Sequence, residues 1–283
     1  MVEFKGRKLG ADLTSNRLRL VGQKIISGHP IIDIIQEPVP DRDIELAAKT
    51  DCELYFSISE KDALIKNLKL DRDNNLDKEK LIFFEFAVSN LGDPDNFFVD
   101  FQKINGGEEY LVCGFNKDMV REKMDYWTDC LIKPSGFKLR AMALARGYLN
   151  FCWKEEGELL CIIDISDDQT SFCFLHRDCP VAFGHVSGTL YDLEDEKSIS
   201  NRYLTDLSAS IQYYQMRLHH AGYTAPLSRI LLSGSSASNG ACLILKESNG
   251  IPTTLPSVKK ALFSPETSEQ APKFLVNLGL IEG

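Results

Sequence analysis

Five apolar residues that stop on an acid set the frame for this chain. Leu159 to Ile163 leads directly into Asp164, and the chain turns through Ser166, Asp167 and Asp168. It resumes with the alternating residues Thr170 to Leu175 and turns again near Arg177 and Asp178. The pattern predicts a β-hairpin followed by a third strand that reaches Phe183. A buried strand that finishes on a carboxylate beside a tight turn can present that acid to a phosphate or a metal. The same pattern equally describes a plain hairpin with a solvated acidic turn.

The N-terminus repeats the arrangement. Leu9 and Ala11 lead into Asp12, a turn follows at Thr14 to Asn16, and Leu18 and Leu20 alternate with Arg17 and Arg19. A third strand is expected over Ile31 to Gln36. Both segments thus open with a hairpin whose first strand ends on an aspartate. Long helices are expected after each. Ala141 to Trp153 is alanine-rich, with small residues suited to close helix–sheet packing. Ile199 to Gly222 keeps Leu204, Leu207, Ile211, Tyr214 and Leu218 on one face, and Gly222 suits the position after a helix end.

Between them the reading predicts strands at Glu53 to Ser59 and Ile65 to Leu70, and a short helix over Asp43 to Lys49. A helix over Asp77 to Leu91 is capped by Asp77, with Phe83, Phe84 and Phe86 packed in a core. Strands at Phe97 to Ile104 and Glu109 to Phe115 are joined by Asn105, Gly106 and Gly107. A helix over Lys117 to Ile132 is capped at Asn116, and Tyr126 and Trp127 are assigned to a core. Lys138 to Arg140 reads as a short strand. Gly184 to Lys197 reads as an acidic loop, Arg229 to Leu232 as a buried strand, Ala241 to Glu247 as a helix and Phe274 to Ile281 as a closing helix.

Composition removes several functions. A net charge of −9 argues against a nucleic acid held through its phosphates. Eight cysteines show no C-x-x-C pair, and Cys113, Cys161, Cys173 and Cys242 sit in apolar segments, so they read as reduced core residues. The histidines show no metal-ligand spacing. No apolar run approaches the roughly 20 residues needed to cross a bilayer, and the N-terminus lacks the apolar core of a signal peptide. The expectation is a cytoplasmic protein with no membrane segment of its own.

At this point the residues resemble a family. LGADLTSNRLRLV, from Leu9, is similar to the first phosphate loop of the type IV pilus assembly protein PilM group, and IIDISDDQTSFCFL, from Ile162, to its second. IQYYQMRLHHAGYTAPLSRILLSGSSA, from Ile211, resembles the helix and adenosine-loop strand, and LFSPETSEQAPKFLVNLGLIEG, from Leu262, the closing helix. The stretch from Tyr110 to Leu139 is similar to the strand–helix–strand before the second loop. The resemblance implies an α/β protein of actin-like (ribonuclease H-like) fold with duplicated βββαβα halves. It implies a small inserted subdomain in the first half and a reduced subdomain in the second. The expected divisions are 1–51 for the start of the first half, 52–135 for the insertion, 136–157 for the rest of that half and 158–283 for the second.

The resemblance places a nucleotide cleft at Asp12, Thr14, Ser15, Asn16, Asp164, Ser166, Ser233, Gly234 and Ser235. Every loop there departs from the family by losing glycine, which would let backbone N–H groups approach phosphate oxygens. Thr14 and Ser166 stand where the family has glycine, and only Gly234 survives in the third loop. Asp167 and Asp168 add charge. A carboxylate about 5 Å from a phosphate oxygen costs roughly 3 kcal/mol at an effective dielectric near 20. Arg19 stands at the family's lysine position.

The leading expectation is a non-catalytic cytoplasmic scaffold of a type IV pilus or related secretion machine, with no bound cofactor or metal. By the resemblance it docks the cytoplasmic tail of a bitopic, PilN-like membrane protein in a groove within residues 52–135. It also implies contact with the motor ATPases and peripheral association with the inner membrane. The alternatives are an active actin-like ATPase, with Asp12 and Asp164 holding the magnesium-bound water shell and Mg-ATP as ligand, or a type II secretion component of the same fold. Asp12 and Asp164 can equally be turn formers that cap local N–H groups.

Overall fold

A computed structural model gives the fold. It describes residues 5–13, 18–39, 44, 49–70, 77–90, 94–104, 109–129, 133–166, 169–188 and 200–282. The first half opens with β1 (Lys8–Leu13), β2 (Leu18–Ile26), β3 (His29–Gln36) and β4 (Glu53–Ile58). An excursion follows: β5 (Ala63–Lys69), α1 (Lys78–Asn90), β6 (Phe97–Ile104) and β7 (Glu109–Asn116). The chain then returns through α2 (Lys117–Asp129), β8 (Gly136–Leu139) and α3 (Arg140–Phe151). The second half holds β9 (Leu159–Ile165), β10 (Gln169–His176), β11 (Cys179–Ser187), α4 (Asn201–His220) and β12 (Leu227–Ser233). It closes with α5 (Asn239–Asn249), β13 (Thr253–Thr254), α6 (Pro265–Ser268) and α7 (Leu275–Ile281).

The duplication read from the hairpins holds in the topology. The two large sheets run β3-β2-β1-β4-β8 and β11-β10-β9-β12-β13. In each, an antiparallel meander leads to two parallel strands that need crossover connections. β1 and β9 are the central strands of their sheets, so Asp12 and Asp164 stand at equivalent places. β9 is buried along its whole length, as an apolar strand covered on both faces must be.

Two helices fill the space between the sheets. α7 lies on β1, β2 and β4, α3 lies on β10 and β11, and the two helices pack on each other. All seven residues of α7 are buried. Burying its Leu275, Leu278, Leu280 and Ile281 side chains contributes about 1.5–3 kcal/mol each. The Asn277 side-chain amide nitrogen donates there to the carbonyls of Gly10 and Arg19 at 3.1 and 2.9 Å. The small residues of α3 therefore serve a helix–helix contact, as well as the sheet contact expected of them.

The inserted strands form a separate sheet, β5-β7-β6. Its outer face is closed by α1, whose Ile82 and Phe86 meet Tyr110 and Val112. Glu53–Ile58, which the sequence reading puts at the start of the insertion, belongs instead to the first large sheet, and the insertion's own sheet spans 63–116.

Other expectations shift. Asp77 and Asn116 cap as read, with Asn116 Oδ1 accepting from Asp118 and Met119 at 2.9 and 3.1 Å. Only Phe86 of the three α1 phenylalanines is buried; Phe83 and Phe84 are exposed, because α1 is apolar on both sides and is covered on one. Trp127 is core and Tyr126 is exposed. Residues 184–187 continue β11 rather than forming a loop. Arg140 starts a helix rather than ending a strand. The helix over Asp43 to Lys49, the Asn105 to Gly107 turn, Asp167, Asp168 and residues 189–199 lie outside the described residues, apart from Ile44 and Lys49.

Candidate functional site

Asp12 and Asp164 face each other across the two halves, both with no exposed surface. Between them lies a guanidinium. Arg140, the first residue of α3 and fully buried, places Nη2 at 2.7 Å from Asp164 Oδ1 and 3.0 Å from Asp12 Oδ2. The same nitrogen donates to Ser166 Oγ at 2.5 Å, and Ser166 donates in turn to Asp164 Oδ1 at 2.9 Å. The Ser57 hydroxyl donates to Asp12 Oδ1. Burial opposes the charge on Arg140, but Asp12, Asp164 and Glu60 more than offset it, so its pKa stands above the ordinary arginine value.

A second buried arginine closes the other side. Arg19 sits opposite Asp12 in the β1–β2 register. Its Nη1 is 3.9 Å from both Asp12 Oδ2 and Asp164 Oδ2, and its Nε is 3.3 Å from Glu37 Oε2. Its Nη2 donates to the Lys273 carbonyl, and the guanidinium stacks on Phe274, 4.4 Å from the ring centre.

The connection into the inserted subdomain is hydrogen-bonded to the same place. Glu60, between β4 and β5, is buried and accepts from the Ala141 amide at the start of α3 and from the Ser171 hydroxyl at 2.5 Å. Ser59 donates to Gln169 at 2.6 Å. Burial raises the Glu60 pKa, and the hydrogen bonds from Ser171 and Ala141 pull it back only in part.

A groove runs along the inserted sheet. The inner face of the inserted sheet, with Phe98, Leu111, Cys113 and Phe115 in register, stands off from α3 and β11 and leaves a cavity of about 710 Å³. Its floor includes Phe137, Met142, Leu149 and Phe183. Five consecutive residues of β6, 98–102, line it. A strand presents alternate residues to a face, so an unbroken run means that the groove follows the strand's edge. β6 is the last strand of its sheet, and that edge has no ladder partner among the described residues. Lys138 and Arg146 supply positive charge. Lys138 donates to the carbonyls of Gly279 and Glu282, while burial and the neighbouring Arg146 bring its pKa down to about 8.

No protein-family model matches the sequence, and no curated protein matches it. Solved structures match over almost the full length. The PilM–PilN type IV pilus biogenesis complex aligns with a TM-score of 0.69 at 18% identity, covering 99% of this chain and 98% of that one. A Bacteroides thetaiotaomicron protein with an actin-like ATPase fold and unknown function aligns with a TM-score of 0.51 at 11% identity, covering 96% and 98%. The chain has the actin-like fold. The cytoplasmic domain of EpsL, an inner-membrane component of the type II secretion system of Vibrio cholerae, aligns with a TM-score of 0.52 at 10% identity, covering 96% and 98%.

Within the actin-like frame the residues expected at the cleft fall into three groups. Asp12, Asp164 and Ser166 come together around Arg140. Ser233 and Gly234 are packed into the structure: Ser233 is fully buried and accepts from the Leu275 amide at 3.4 Å, and the Gly234 amide donates to the Lys273 carbonyl at 3.2 Å. Gly234 has φ of 101°, and a Cβ there would sit 2.1 Å from the Ile165 carbonyl oxygen, so only glycine fits. Ser235 is half-buried beside it. Thr14, Ser15 and Asn16 lie outside the described residues. Sequence reasoning missed Arg140 and Glu60. Arg140 carries a signal in hindsight: it is the one charge in the apolar run Leu139 to Ala145.

No described helix is long and apolar enough to cross a membrane.

Proposed function

We propose that this protein is a non-catalytic scaffold of a type IV pilus or related secretion platform. It docks an extended cytoplasmic tail from a PilN-like, bitopic membrane protein. The groove along the free edge of β6 is the observation that carries the reading. An unpaired strand edge offers main-chain hydrogen bonds to an extended peptide, and an apolar floor offers side-chain pockets. The likeness in fold to the protein of the PilM–PilN complex supports the same assignment.

The groove also states what the peptide should look like. Its floor takes an apolar or aromatic side chain. Arg146 is exposed and lines the groove, so it takes a carboxylate on the peptide.

Titration with the labelled N-terminal cytoplasmic peptide of the inner-membrane partner tests this. We expect binding in the micromolar range, with Arg146→Glu weakening it about tenfold or more through charge reversal. Lys138 carries its charge below about pH 8 and loses it above. Affinity for an acidic peptide should therefore fall as pH is raised from 7 to 9, and the Lys138→Met variant should flatten that profile. Failure of every candidate inner-membrane tail to bind would remove the proposal.

A further inference from the structure

We infer that Arg140 is the built-in counter-ion of the central cleft, so that Arg140 and Arg19 brace the two halves where a magnesium–nucleotide would otherwise have to sit. The resemblance places a metal-bound phosphate chain between Asp12 and Asp164, and the residues present do not fit one.

A magnesium between the carboxylates would lie about 2.1 Å from an oxygen that ligates it directly, and with its water shell between them it would need more room still. Arg140 Nη2 already stands 2.7 and 3.0 Å from those two side chains. Cation and guanidinium cannot share the position. Nor can Arg140 swing away cheaply. Its side chain is fully buried, it starts α3, and the next amide is held by Glu60. The phosphate side is no more open. Arg19 stacks on Phe274 and reaches the Lys273 carbonyl, while the Gly234 turn is closed onto Ile165 and Lys273.

The ion set crosses the molecule. Asp12, Arg19 and Arg140 belong to the first half, and Asp164 and Ser166 to the second. Removing one partner from a buried ion set is strongly destabilising, so the set couples the two halves, although Asp12 Oδ2, Asp164 Oδ2 and the Nε and Nη1 atoms of both arginines make no hydrogen bond among the described residues. It also bears on the groove, because α3 begins at Arg140 and carries Met142, Arg146 and Leu149 into the groove wall.

The test uses the purified full chain and two variants, Arg140→Met and the triple change Arg140→Met, Asp12→Asn, Asp164→Asn. Manganese chloride and Mg-ATP are the probes. Wild type should show no binding of either below millimolar concentration. Arg140→Met leaves the two carboxylates with Arg19 at 3.9 Å as their one cation among the described residues, and its folding equilibrium constant should fall about a thousandfold. Manganese, which carboxylates suit, should then raise it at least tenfold at 10 mM, as expected for a cation that binds the folded state with a Kd near 1 mM. In the triple variant Arg19 keeps Glu37 at 3.3 Å as its partner, so the variant should recover to within about tenfold of wild type and ignore manganese.

Micromolar binding of Mg-ATP or manganese by wild type would overturn the inference. So would an Arg140→Met protein as stable as wild type. If Arg140→Met does not fold, the triple variant decides: folding near wild-type stability supports the counter-ion, and failure to fold assigns Arg140 a packing role instead.

Discussion

Adding one methyl group at Gly279 should lower the melting temperature by about 6–12 °C. The reason is the crossing of α3 and α7 between the two large sheets. A Cβ on Gly279 would lie 1.7 Å from the Ala143 carbonyl oxygen and 2.8 Å from the Gly147 amide nitrogen. The partner surface has the same character, since a Cβ on Gly147 would lie 1.9 Å from the Leu275 carbonyl oxygen. Both obstacles are backbone, which cannot rotate aside as a side chain can. The helices must separate, and each is packed on a sheet that resists. Overpacking of this kind costs about 3 kcal/mol or somewhat more, which corresponds to the stated shift for a chain of this size. Gly222→Ala is the control. Its φ is 94° but no atom stands within 4 Å of the added carbon, so it should cost only about 1 kcal/mol of backbone strain. Thermal unfolding of the two variants separates them. Equal losses would mean that the helix crossing is not the tight point of the fold.

The second large effect concerns the two aspartates. Asp164→Asn keeps the shape of the side chain and removes its charge, leaving Asp12 as the one described aspartate between Arg140 and Arg19. Removing one partner from a buried ion pair costs about 3–5 kcal/mol. Asp12→Asn should cost a similar amount. The two changes should not add. The first leaves the guanidiniums one aspartate to share, and the second leaves, among the described residues, only Glu37 beside Arg19 and the more distant Glu60 for Arg140, so the double variant should lose more than the sum of the singles. A double-mutant cycle in denaturant measures this directly. Simple additivity would show that Asp12 and Asp164 do not share Arg140.

How much of this was legible in the sequence depended on the range of the interaction. The hairpin from Leu159 was readable because five apolar residues, a carboxylate and a turn are neighbours in the chain. The caps at Asp77 and Asn116 were readable for the same reason. The repeated hairpins ending on Asp12 and Asp164 pointed to the duplicated halves, and the family resemblance carried the inserted subdomain, which no local pattern contains. The exposure of Phe83 and Phe84 was not readable, because a helix apolar on both sides does not say which side the neighbouring sheet will cover. Arg140 was the largest omission. Its partners lie at positions 12 and 164, and an arginine beside an alanine-rich run looks like a solvated helix start until the two halves are brought together. The groove was placed within residues 52–135 by resemblance alone. Its walls include Met142, Leu149 and Phe183, which lie outside that range and reach it only through the tertiary fold.

Hydrogen exchange on the full chain tests most directly whether the groove, rather than the cleft, is the working site. Amides of β6 and of the facing residues near Phe183 should exchange more slowly when the tail peptide is added at saturation. Saturating Mg-ATP should leave every amide around Asp12, Asp164 and Gly234 unchanged. Protection by Mg-ATP at those three positions, with none by any tail peptide along β6, would contradict the account.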